Sequence, residues 1–172
     1  FNKLMYERLI KGGDITLFSP SDVPGLYEAF FADQDEFKRL YERAERNTRL
    51  RKKTIKASAL FSAFMEERKN TGRIYLMNVD HANDHSSFKA DVAPIKQSNL
   101  CCEINLPTKP LKSFEDAEGE IALCTLSAIN WGLLRNPSDF EKPCTLAVRG
   151  LDALLSYQNY PVEAARNSTM KR

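Results

Sequence analysis

Apolar positions in this chain follow two rhythms, a helical spacing of three and four residues in the first part and short unbroken runs later. Leu4, Met5, Leu9 and Ile10 recur at helical spacing, and Gly12-Gly13 ends the pattern as a C-terminal glycine pair does. Residues 14–20 read as a short extended link. Ser21-Asp22 before Val23-Pro24 supplies a capping oxygen and an early proline, so a short helix is expected over 25–31. Beyond Asp33, the residues Phe37, Leu40, Tyr41 and Ala44 form one stripe, with Asp35 and Glu36 early and Arg43 and Arg46 late, as the helix dipole prefers. Ile55, Ala59, Leu60, Phe64 and Met65 predict a second amphipathic helix that stops at Asn70-Thr71-Gly72.

Two later stretches, 73–79 and 120–129, are nearly continuous apolar runs and read as buried strands. Residues 111–119 form an acidic loop. Asn136-Pro137-Ser138-Asp139 opens a last helix whose Cys144, Leu146, Ala147, Val148, Leu151, Leu154 and Leu155 make a broad apolar face, with Cys144 expected in the core. Pro161 ends that helix. No internal repeat or linker is evident, so 1–172 reads as one unit, helical to about residue 72 and then strands, a loop and the last helix.

Between the two runs lies Gln97-Ser98-Asn99-Leu100-Cys101-Cys102-Glu103-Ile104, closed by Pro107 and Pro110. In an extended backbone Asn99, Cys101 and Glu103 share one side, and Leu100, Cys102 and Ile104 lean on a core from the other. An amide, a thiol and a carboxyl on one spot offer an anchor, a sulfur for nucleophilic or radical chemistry, and a proton acceptor.

The 172 residues suffice for a core, and the formal net charge of +2 supplies no field that favours nucleic acid or an anionic membrane. No apolar run reaches the roughly 20 residues of a membrane span, and a cytoplasmic location is expected. Four cysteines, two of them adjacent, fit reduced thiols better than a disulfide framework. The basic cluster Arg49, Arg51, Lys52, Lys53 and Lys56 reads as a solvated helix entry ahead of a phosphate patch. His81 and His85 would share a helical face, a spacing known from zinc sites, but a polar loop at a strand end is the preferred reading and no metal is assigned. A cysteine hydrolase using Cys101 with either histidine lacks a glycine-rich or helix-start context for an oxyanion hole. Cys124, taken by itself, is a small buried hydrophobe.

In order along the chain, the Asp14-Ile15-Thr16-Leu17-Phe18-Ser19-Pro20 stretch and residues 73–81, 97–103, 121–130 and 151–165 resemble the large catalytic subunit of aerobic class I ribonucleotide reductases, over nearly the whole length. The resemblance implies part of an α/β barrel of ten strands, in two halves of five parallel strands with helices outside and an inward finger loop. By the same resemblance, Cys101 is the residue converted to a thiyl radical, which removes the ribose 3′ hydrogen of a ribonucleoside diphosphate. Glu103 accepts the 3′-hydroxyl proton, Asn99 holds the sugar hydroxyls, and Leu100 and Cys102 line the substrate. Cys124 is one of two cysteines that reduce the 2′ position, its partner lying upstream of this region. The implied partners are the remaining large-subunit segments, a metal-containing small subunit that supplies the radical, and an external thiol reductant of the thioredoxin or glutaredoxin type. No cofactor is expected on this segment, and a noncatalytic assembly fragment, inactive alone, is the alternative. Cys102 stands where an aliphatic residue is expected, which makes it an oxidation liability beside Cys101. Because the sequence opens on Phe1, a longer chain around it is expected.

Overall fold

In the computed structural model, which describes residues 1–171, the chain forms two compact units that meet in sequence at Pro107 and Thr108. The first contains helices α1 (Lys3–Ile10), α2 (Leu26–Ala32), α3 (Gln34–Arg46), α4 (Ala57–Thr71) and α5 (Val79–Asp84). Its strands are β1 (Asp14–Phe18), β2 (Lys52–Lys56), β3 (Gln97–Ser98) and β4 (Asn105–Leu106). From Thr108 onward the helices are α6 (Glu141–Tyr157) and α7 (Glu163–Lys171).

The core of the first unit takes Leu4 from the α1 stripe and Phe37, Leu40 and Ala44 from the α3 stripe, whereas Ile10 of α1 is 83% exposed and the α4 stripe stays outside it. Leu4, Val23, Leu26, Ala29, Phe37, Leu40 and Ala44 pack together, with Phe18, Phe30, Tyr41 and Leu50 against them. Asp33 starts α3 by accepting the amides of Asp35 and Glu36 at 3.0 and 2.9 Å, which satisfies donors that a helix start leaves without partners. Gly12 and Gly72 end α1 and α4 in the left-handed region, with φ of 64° and 65°; glycine enters that region without a Cβ penalty.

Residues 14–18 are more than an extended link. They form β1, antiparallel to β2, with Asp14 opposite Lys56 and Phe18 opposite Lys52. The basic cluster thus contributes a strand: Lys56 pairs with Asp14 at 2.7 Å, and the Lys52 ammonium donates to the carbonyls of Glu45 and Asn47. Thr16 locks the sheet onto α3. Its backbone amide donates to the Tyr41 phenol and its carbonyl accepts from that phenol, both at 2.7 Å, while its hydroxyl donates to Glu45 at 3.0 Å. Ile55 belongs to β2 rather than to the following helix, and Ala59 and Met65 of α4 are exposed.

The two expected buried strands are absent among the described residues. Residues 73–78 form no ladder; the Ile74 carbonyl accepts from the Arg68 guanidinium, the Asn78 side chain accepts from Tyr6, and the Val79 amide donates to the Phe1 carbonyl. In 121–130 the backbone is also irregular, and Leu126 is 73% exposed. A parallel strand needs a neighbour reached by a crossover, and both sheets here are antiparallel pairs, β1–β2 and β3–β4. Hence no ten-stranded or closed barrel is formed by the described residues, although helix and sheet are mixed as expected.

In the second unit, Ser168 of α7 accepts the Ile121 amide at 3.0 Å and donates to the Ala164 carbonyl at 2.6 Å. Asp116 gathers the acidic loop by accepting the amides of Lys112 and Glu118, both at 2.9 Å, and these backbone donors hold its carboxyl below the ordinary carboxylate value. The apolar face of α6 is formed but not buried, and Cys144 is exposed instead of lying in a core.

Candidate functional site

Polar residues of α5 set up the hairpin. The Asp80 carboxylate accepts the Lys3 amide at 2.7 Å, at the start of α1, where the helix leaves amide donors open. One turn later Asn83 clamps Ile95: its Oδ1 accepts the Ile95 amide at 2.8 Å and its Nδ2 donates to the Ile95 carbonyl at 2.9 Å. Ile95 is 1% exposed and stands just ahead of β3. The polar loop expected at 80–85 is therefore a helical bracket. The helical spacing from Val79 to Asn83 was the available signal, since Asn83 Nδ2 also donates to the Val79 carbonyl at 2.8 Å.

The hairpin tip follows a turn rather than a strand. β3 ends at Ser98, and the Cys102 amide donates to the Asn99 carbonyl at 3.2 Å across a turn that holds Leu100 and Cys101. Cys102 then has φ of 63°, the single non-glycine residue with positive φ among those described. A side chain in that region costs roughly 1–2 kcal/mol. Asparagine often opens turns by bonding its own backbone neighbours, but the Asn99 side chain instead reaches across the turn to Glu103 and the Ile104 amide.

Asn99 closes the loop with both main chain and side chain. Its amide donates to the Ile104 carbonyl at 3.3 Å, its Oδ1 accepts the Ile104 amide at 3.0 Å, and its Nδ2 donates to Glu103 Oε1 at 2.6 Å. Only 6% of Asn99 is exposed. The amide and the carboxylate thus meet as alternation predicted, but for another reason: the chain turns between them. Alternation fails at Leu100. Leu100, expected on a core, is 88% exposed, and Cys102 is half-buried with its sulfur accepting from the Ser98 hydroxyl at 3.2 Å. Cys101 occupies the exposed tip between Asn99 and Glu103 in sequence.

Cys124 is half-buried in the irregular stretch of the second unit. His81 and His85 face each other at the end of α5 with ring centroids 6.0 Å apart. Among the described residues, no three His, Cys, Asp or Glu side chains converge to hold a metal ion. Nor does a hydrogen bond join Cys101 to either histidine there, so the hydrolase arrangement has no base in place. No described helix is long and apolar enough to cross a membrane.

Comparison with known proteins gives a consistent result. Residues 1–172 match the family described as ribonucleotide reductase, barrel domain. The chain is 63% identical over 171 residues to the ribonucleoside-diphosphate reductase subunit alpha of Haemophilus influenzae, covering 99% of this chain and 23% of that protein. It is 61% identical over 171 residues to ribonucleoside-diphosphate reductase 1 subunit alpha of Escherichia coli, covering 99% and 22%. With the subunit alpha of Enterobacteria phage T4 it shares 45% over 177 residues, covering 99% and 23%. The chain thus spans less than a quarter of the length of these relatives.

Proposed function

We propose a function from one premise: this chain belongs to the ribonucleotide reductase barrel-domain family. It supplies the finger loop and neighbouring elements of a ribonucleoside-diphosphate reductase large subunit, which reduces ribonucleoside diphosphates to the deoxy forms for DNA synthesis. The ten-stranded barrel is completed by segments outside this chain. A metal-containing small subunit supplies the radical, and an external dithiol of the thioredoxin or glutaredoxin type restores the thiols.

The observation that carries this is the 2.6 Å bond from Asn99 Nδ2 to the Glu103 carboxylate on a hairpin tip that presents Cys101 to the outside. In the reaction Cys101, as a thiyl radical, takes the 3′ hydrogen of the ribose; breaking an unactivated C–H bond needs a radical of comparable bond strength held at near-contact distance. Glu103 accepts the 3′-hydroxyl proton as general base. Asn99 steadies that carboxylate with one Nδ2 hydrogen and has the second for a sugar hydroxyl. Leu100 and Cys102 complete the surface that meets the substrate. Cys124 and a second cysteine outside the chain deliver two electrons: their thiols become a disulfide, and the 2′ hydroxyl leaves as water.

The absence of a closed sheet among residues 1–171 supports inactivity of the chain alone, so the test is complementation. Mixed with the remaining large-subunit segments and a radical-bearing small subunit, the chain restores turnover, while Cys101→Ser and Glu103→Gln abolish it. Turnover that survives Cys101→Ser rejects Cys101 as the radical carrier. Restored turnover by the unaided chain rejects the need for the other segments.

A further inference from the structure

Two neighbouring thiols on a strand point to opposite faces and cannot reach each other. Cys101 and Cys102 are not on a strand. They sit in the turn beyond β3, outside the ladder, and Cys102 already has the left-handed φ of 63°. Neither is in a disulfide, and Cys101 is exposed while Cys102 is half-buried. We propose that Cys101 and Cys102 form a redox-reversible pair, closed by a hydroperoxide into a vicinal disulfide at the hairpin tip and reopened by a thiol reductant.

The steps balance without any other reactant. The Cys101 sulfur attacks the peroxide O–O bond and becomes a sulfenic acid, releasing one water from hydrogen peroxide. The Cys102 sulfur then displaces the hydroxyl of that sulfenic acid, which leaves as a second water, and the S–S bond forms. Two thiols have lost two electrons to the peroxide. Reduction runs through a mixed disulfide with the incoming thiol and returns both protons. Adjacent residues make the second step intramolecular, which favours it over capture by other thiols.

Geometry also makes the bond easy to reopen. Consecutive Cα atoms lie about 3.8 Å apart, short of the roughly 4.4–6.8 Å that relaxed disulfides span. The closed ring is therefore strained, and strained, exposed disulfides are the oxidising and labile ones. Ser98 acts as the latch of the open form. Its hydroxyl lies 3.2 Å from the Cys102 sulfur and 2.9 Å from the Asn99 carbonyl, so closure must release the sulfur from that contact. While the pair is closed, Cys101 has no S–H bond to be oxidised to a radical; that consequence rests on the role proposed for Cys101 above.

The test treats the intact chain, and the Cys124→Ser/Cys144→Ser double variant, with hydrogen peroxide at one equivalent, followed by iodoacetamide and peptide mass mapping. The expected tip peptide has lost two hydrogens, carries no alkyl group on Cys101 or Cys102, and regains both sites after dithiothreitol. Cys102→Ser should instead leave Cys101 as sulfenic or sulfinic acid. In a glutathione buffer, Ser98→Ala should favour the closed form by about 2- to 10-fold, the worth of one net hydrogen bond. Over-oxidised Cys101 beside an alkylated Cys102, or Cys101 paired with another cysteine, overturns the proposal. In the complemented reductase, turnover that persists with the pair closed would reject the radical role of Cys101 and leave the dithiol intact as a finding.

Discussion

Helices α3 and α6 carry comparable apolar stripes and meet different fates. In α3, Phe37, Leu40 and Ala44 are 8%, 4% and 4% exposed, in a core shared with α1 and α2 against which Phe18 of β1 packs. In α6, Leu146, Val148 and Leu154 are 60%, 67% and 45% exposed, and no residue of the helix is buried. Apolar periodicity therefore specifies that a helix forms and which side would be buried. Burial itself requires an opposing surface, which residues 1–107 contain for α3.

Removing a covered side chain from α3 should have the greatest consequence for stability. Leu40→Ala should cost about 2–5 kcal/mol by loss of transfer energy and creation of a cavity; chemical denaturation showing under 1 kcal/mol would mean that the α3 stripe is no better packed than that of α6. Next comes the phenol that joins α3 to the sheet. Tyr41→Phe leaves the Thr16 amide and carbonyl without their partner, a cost of about 1–3 kcal/mol at neutral pH.

The same variant has a pH signature. Burial pushes the Tyr41 phenol above its ordinary value of 10.0, so the fold prefers the neutral form. That contribution is complete below the unfolded value and is lost as pH rises through the folded one. Unfolding midpoints should fall at alkaline pH in the wild type, and by less in Tyr41→Phe. An equal fall in both would remove Tyr41 as the source.

Asn99→Ala should act locally, by about 1–2 kcal/mol for the lost loop bonds. Hydrogen exchange should speed up at the Ile104 amide and stay unchanged at Leu40. The smallest expected effect is Leu154→Ala, within about 0.5 kcal/mol as for other uncovered positions. A loss of several kcal/mol there would show the α6 face to be covered in solution, and sedimentation would then distinguish self-association from a monomer.

Local signals were legible wherever the deciding contact lay close in sequence. The glycine stop after α1 and the stripe of α3 follow from neighbours within a few residues. The pairing of β1 with β2 did not, because Asp14 and Lys56 are distant in sequence and a lysine-rich strand looks like a solvated helix entry. The runs at 73–79 and 120–129 have strand composition, yet composition supplies no partner for their backbone groups. At the tip, the meeting of Asn99 and Glu103 was anticipated from strand alternation; the turn that brings it about depends on a positive φ at Cys102, which no glycine announced.

Sequence alone was sufficient for the residue types at the tip, the glycine stops of α1 and α4, the stripe of α3 and the family to which they point, since these depend on side-chain chemistry and short-range spacing. Tertiary structure decided which stripes became core, that residues 14–18 pair with 52–56, and that Asn83 brackets Ile95 ahead of the hairpin. Those outcomes depend on hydrogen-bond partners and opposing apolar surfaces brought from far along the chain, and a spacing rule does not contain them.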